Sequence, residues 1–266
     1  MPWQGVFDWA GADLGGGDLP GAFADSFSAS MPARYGVLFD PRTIRHHAAV
    51  SYHRGDRPAR AEVWRVFPDG SAALCVVAED RPGLLSAIAA ALVSHRLDVI
   101  TALVFSRALP GGGTEAVDLL WVRRASSSDA APIGPDEAIS VGEVLSAILS
   151  GAISVAEIAA RPFASPPPAD APPVVVLFEE NDESGCAVLR VEAPDRPGIL
   201  LSIALELYQH GAQIVRSLVR TADGRAFNRF DIVEFSGAPL SRERRDQIRD
   251  AVFAVLTLHR PSEGAA

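Results

Sequence analysis

The chain has 266 residues, a formal net charge of −9, and takes all 24 of its basic residues as arginine, with no lysine. The charge argues against a nucleic-acid partner. The missing lysine excludes a P-loop lysine, a Schiff-base lysine and a lysine general base. A hydrophobic content of 48% and a mean hydropathy of +0.16 indicate a folded protein, long enough for two domains with separate cores. Cys75 and Cys186 lie in apolar, strand-like runs without C-x-x-C spacing, so they read as buried free thiols. No basic-then-apolar leader precedes Arg34 and no apolar run reaches membrane-spanning length. The expectation is a cytoplasmic protein.

Residues 1–33 read as a flexible arm, rich in Gly, Ala and Asp, with aromatic residues that dock loosely. Residues 34–59 form a helical lead-in, with Asp40 as N-cap before Pro41. His46, His47 and His53 lie on it, but the adjacent pair points to different faces, so no metal is expected. Residues 60–67 alternate as a strand, and Asp69-Gly70 turns them into a second strand ending at Ala78. A helix follows from about Pro82 to His95. Strands 98–106 and 116–123 come next, joined through Gly111-Gly112-Gly113. That triple glycine reads as a hairpin loop, because no helix follows to receive a phosphate. Residues 136–160 read as one long helix or two short ones, interrupted by Gly142 and Gly151. The proline-rich stretch 162–173 reads as a stiff linker.

The same grammar then returns. Strand 174–179, strand 186–193, a helix to about His210, strands 213–221 and 227–235, and a helix capped by Ser241 follow in order. Residues 259–266 are a tail. The domain boundaries are therefore 60–161 for the first unit, with a helical insertion, and 174–258 for the second.

The point of closest repetition is Asp80-Arg81-Pro82-Gly83-Leu84-Leu85, which recurs 115 residues on as Asp195-Arg196-Pro197-Gly198-Ile199-Leu200. Each copy reads as strand, tight turn, helix. Asp suits a helix N-cap, Pro a first turn, and Gly a close backbone approach. Leu85, Ile88 and Leu92, like Leu200, Ile203 and Leu207, share one helix face. Element by element, each half is an extra strand followed by β-α-β-β-α, which favours α+β layers with an antiparallel sheet.

On these residues the chain resembles the ACT-domain family. The wider arrangement resembles the carboxyl-terminal regulatory region of the bifunctional uridylyltransferase/uridylyl-removing enzymes of nitrogen control. Tyr35-Gly36-Val37-Leu38-Phe39-Asp40-Pro41 and its histidine-containing helix, together with the Asp80 and Asp195 copies, carry that likeness. The resemblance implies an α+β fold of two ferredoxin-like ACT domains (βαββαβ, each with an extra preceding strand). It also implies binding of a small amino acid, with glutamine favoured. The turn of one domain is expected to face the start of the second strand of the other, which would pair Asp80 with Gln213 and Asp195 with Asp98. The site residues so implied are Asp80, Gly83, Leu84, Leu85, Asp98, Asp195, Gly198, Ile199, Leu200 and Gln213. The catalytic domains of those enzymes have no counterpart here: there is no G-S near a paired D-x-D and no His-Asp dipeptide.

Two readings follow. In the first, the chain is a non-catalytic regulatory module without cofactor or metal. A helix start would take the ligand's carboxylate and an Asp its ammonium. In the second it is a ligand-free protein–protein and dimerisation module. The pairing is expected within one chain or in a homodimer. The Asp80/Gln213 site is expected to be the better pocket, because two acids at Asp98 and Asp195 would repel a carboxylate.

Overall fold

The computed structural model describes residues 19–126, 131–161, 173–179 and 185–257. Three helices come first: α1 (Gly21–Ser30), α2 (Ala33–Leu38) and α3 (Pro41–Arg54). The arm expected over 1–33 therefore does not extend through its last third. Phe27 of α1 is fully buried, and that burial holds a helix which has no side-chain N-cap. α3 starts as its sequence requires: Asp40 accepts from the N–H groups of Arg42 and Thr43, with Pro41 in the first turn.

The first half of the sheet then builds as β1 (Ala59–Val66), β2 (Ala72–Glu79), α4 (Leu84–Ser94), β3 (Leu97–Ala108), β4 (Thr114–Arg124) and α5 (Pro135–Leu149). A short α6 (Val155–Ala159) follows, separated from α5 by Gly151 at φ +81°. The 136–160 stretch is thus two helices. Gly142 has a different reason to be there: a Cβ on it would stand 2.9 Å from the backbone nitrogen of Ala61. The glycine that weakens α5 lets it lie tightly on β1. The second half repeats the order with β5 (Val175–Phe178), β6 (Ala187–Pro194), α7 (Ile199–Gln209), β7 (Ala212–Ala222), β8 (Arg225–Glu234) and α8 (Arg242–Thr257).

Among the described residues the eight strands form one antiparallel sheet in the order β1-β2-β4-β3-β7-β8-β6-β5. The halves join where Thr101, Ala102 and Leu103 of β3 face Arg220, Val219 and Leu218 of β7. Because equivalent strands meet antiparallel, an approximate two-fold relates the halves and brings α4 beside α7. Of the βαββαβ order, the described residues contain the extra strand and then βαββα. The edge place beside the first of these strands is held by the preceding strand, β1 or β5.

One face of the sheet is covered by α4, α5, α7 and α8, with a continuous apolar core across both halves. Every residue from Leu84 to Leu92 of α4 is buried, not only the expected stripe, because α4 touches the sheet, α5 and α7 at once. The small side chains of Ala87, Ala89, Ala90 and Ala91 make that possible. The opposite face of β1–β4 carries the lead-in helices over a second cluster, including Phe27, Tyr35, Phe39, Trp64, Phe105 and Trp121. Under this layer Glu115 accepts from Ser51 and Arg107 (both 2.7 Å) and from Arg54 (2.9 Å), which ties α3 to the sheet. His46 and His47 are buried here as well, and Tyr35 and Nδ1 of His47 are 2.5 Å apart. Among the described residues no group of acids, histidines and cysteines could hold a metal, and both cysteines are buried and free.

Candidate functional site

The two copies of the repeated turn sit at the N-termini of α4 and α7, on either side of the central β3–β7 pair. In both, the cap residue is the glycine: Gly83 at φ +82° and Gly198 at φ +78°, each left-handed and without a side-chain cap bond. The aspartates do not cap the helices. Asp80 accepts instead from Ser106 at 2.6 Å, and Asp195 from Thr221 at 3.4 Å, so each ties its turn to the second strand of its unit. The arginines of the repeat reach the other way. Arg81 donates to the carbonyl of Leu149 and Arg196 to that of Val255 at 3.4 Å, satisfying carbonyls near the ends of α5 and α8.

At the α4 start, Leu84 N–H is taken by the Arg81 carbonyl, while those of Leu85 and Ser86 belong to the first helical turn and lack a carbonyl one turn earlier. Both residues line a small cavity together with Asp80, Gly83, Asp118, Tyr208 and Gln213. Gly83 is needed here twice over. Its φ is hostile to a side chain, and a Cβ would stand 2.7 Å from the Tyr208 ring. Tyr208 is 42% exposed and packs on Phe235 with ring centroids 5.4 Å apart, so it closes the cavity from the solvent side. The cavity measures about 30 Å³, room for roughly two waters. A larger occupant requires Tyr208 to swing outward.

The unexpected member is Asp118. It lies on β4 opposite Val76 and Val104, is 2% exposed, and its Oδ1 has no hydrogen-bond partner. Burial, and then the charge of Asp80, push its carboxyl well above the usual range, against one backbone hydrogen bond from Phe105. Its sequence did hold a signal: a single acid inside the apolar run Ala116–Val122.

The α7 start is built differently. Asp98 of β3 comes to Asp195, but Arg123 lies between them, 3.0 Å from Asp98 and 2.5 Å from Asp195. Burial, then Asp195, raise the Asp98 carboxyl above its ordinary value, and Arg123 opposes this. Burial alone would lower the Arg123 guanidinium, but its hydrogen bonds to Asp195 and Asp98 outweigh it and the net shift is upward. The structure therefore brings Gln213 to the Asp80 turn, with Gly83, Leu84 and Leu85, and Asp98 to the Asp195 turn. Gly198, Ile199 and Leu200 form the buried start of α7.

What these elements define is a duplicated α+β protein with one polar cavity at a helix start and a second helix start closed by an ion pair. No family model matches the chain. It is similar to the bifunctional uridylyltransferase/uridylyl-removing enzyme of Phenylobacterium zucineum (strain HLK1), with 27% identity over 88% of this chain and 24% of that protein. The enzyme of the same description from Streptomyces coelicolor is 30% identical over 63% of this chain and 20% of its own length. That of Azospirillum brasilense is 25% identical over 88% and 25%. The chain thus resembles, and spans, about a quarter of the curated relatives it matches. A solved structure of an unknown protein from Galdieria sulphuraria covers 74% of this chain and 92% of its own at 18% identity. Its TM-score is 0.22, too low to carry an argument.

Proposed function

We propose that this chain is a non-catalytic regulatory module of nitrogen control that binds a small amino acid, glutamine favoured, between two ACT-type units. The observation that carries the reading is the α4 cavity, where two acids, a primary amide and a helix N-terminus converge. An amino acid offers the matching groups. Its carboxylate suits the N–H groups of Leu85 and Ser86 at the positive end of α4. Its ammonium suits Asp80 and Asp118, and Gln213 can both donate and accept toward a side-chain amide. The likeness to part of enzymes named for uridylyl transfer and removal supports a place in that regulation.

The ligand-free reading keeps one observation in its favour: the cavity is small while Tyr208 lies over Gly83. A thermal-shift screen of the purified chain against the twenty amino acids separates the two, because a ligand selective for the folded state must raise Tm. At 100 times Kd the gain is about 2.7 kcal/mol, roughly 5–11 °C for a chain of this size. A rise with glutamine is expected. No rise with any amino acid at 10 mM would leave the protein–protein module as the function.

A further inference from the structure

The two helix starts are equivalent places in a duplicated fold, so the residues that differ between them can be compared one for one. Asp98 and Arg123 face each other across β3 and β4. Gln213 and Val233 hold the corresponding cross-strand positions on β7 and β8. Asp118 lies opposite Val76 and Val104, and Asn228 opposite Val191 and Val219. The α7 start thus has an acid pair, Asp98 with Asp195, and a cation of the chain's own between them. The α4 start has an acid pair too, Asp80 with Asp118. Val233, however, stands where Arg123 stands in the other half. Among the described residues no basic side chain lies within salt-bridge distance of Asp80 or Asp118.

We propose that Arg123 is a built-in occupant of the α7 site, its guanidinium filling the place that the ligand's ammonium takes at α4. The chain then binds one ligand, not two, and the α7 start serves as a fixed clamp between the halves. This rests on the amino-acid reading of the α4 cavity and adds to it. Charge decides the asymmetry. Asp98 is 5% exposed and Asp195 9% on the side chain, and two facing acids so placed repel unless a cation stands between them or one keeps its proton. At α7 β4 supplies it, across the boundary between the halves. At α4 neither strand does, and a ligand's ammonium can supply it. The clamp also holds the β3–β7 junction closed when the α4 cavity is empty, because Arg123 belongs to the first half and Asp195 to the second.

The experiment is a calorimetric titration of the full chain with glutamine, comparing the wild type with the double variant Asp98→Gln/Arg123→Val, which gives the α7 start the Gln and Val of the α4 start and frees Asp195, with Asn228 kept in the place of Asp118. One equivalent is expected for the wild type and two for the double variant. Two equivalents in the wild type, or one in the double variant, would overturn the proposal. If the wild type takes up no glutamine, the amino-acid reading fails separately, and melting temperatures still judge the clamp. Arg123→Val alone should lower Tm by about 2–4 °C or more, since it leaves two acids facing. The same change combined with Asp98→Gln should cost little beyond Asp98→Gln alone. Equal losses in both backgrounds would mean that Arg123 does not neutralise that pair. Circular dichroism confirms that each variant is folded before its titration.

Discussion

Gln213 is the residue on which the α4 cavity depends for a ligand amide. Replacing it with alanine should remove a hydrogen bond worth roughly 1.5–3 kcal/mol, about ten- to hundredfold in affinity for glutamine. Asp98→Ala should leave that affinity nearly unchanged and lower stability instead, since its carboxyl is committed to Arg123. The two effects can be read from one pair of titrations and melts. Asp118 predicts the reverse balance. Burying the Asp118 charge beside Asp80 is unfavourable, and Asn228 holds the equivalent place with an uncharged side chain of the same size, although its amide too is buried without a hydrogen-bond partner. Asp118→Asn should therefore raise Tm at neutral pH while weakening amino-acid binding. Because the folded-state value of Asp118 is raised, its contribution to stability is present below about pH 3.8 and lost as pH rises through that folded value. The gain from Asp118→Asn should accordingly shrink toward acid pH, as a melt series across pH would report. His47 has the opposite sign. Burial, then His46, hold its folded value well below 6.5, so the unfolded chain binds the proton first. Stability should fall as pH drops below about 6.5, and His47→Gln should flatten that slope.

At the scale of elements, much of the fold was legible in the sequence. The Asp69-Gly70 turn, the alternation of the strands and the Asp40-Pro41 start of α3 are local signals, and the elements follow them closely. What escaped was set by contacts distant in sequence. Nothing local marks Gly21–Ser30 as a helix; it forms because Phe27 finds a pocket against Tyr35 and the arginine of β3, Arg107. Asp80 looks like a helix cap on composition. It is diverted because Gly83 takes the left-handed cap position and Ser106 lies within reach. The cross-half partners Gln213 and Asp98 could be named from the resemblance. Arg123, Tyr208 and Asp118 could not, since each joins its site only through strand register or the packing of α7. Element-level packing yields its own prediction. Glu115 is 1% exposed and receives two arginines, so Glu115→Ala leaves Arg107 buried and unpaired. It should cost about 3–5 kcal/mol and detach the lead-in helices first. Chemical denaturation followed by tryptophan fluorescence would report this, because Trp64 and Trp121 line that interface.

For the molecule as a whole, duplication followed by divergence of a few side chains accounts for one open and one closed helix start on a single sheet. Any response to ligand has a physical route: Tyr208 belongs to the second half and lies over Gly83 of the first, so admitting a ligand must move α7 against α4 or rotate that ring. On the proposed function an amino acid enters at the start of α4 and not at α7. The most direct measurement is a backbone-amide NMR titration with glutamine. The largest shifts are expected on Leu85, Ser86 and the side-chain amide of Gln213, with Leu200 and Leu201 unmoved. Shifts centred on the start of α7, or none at saturating glutamine, would contradict it.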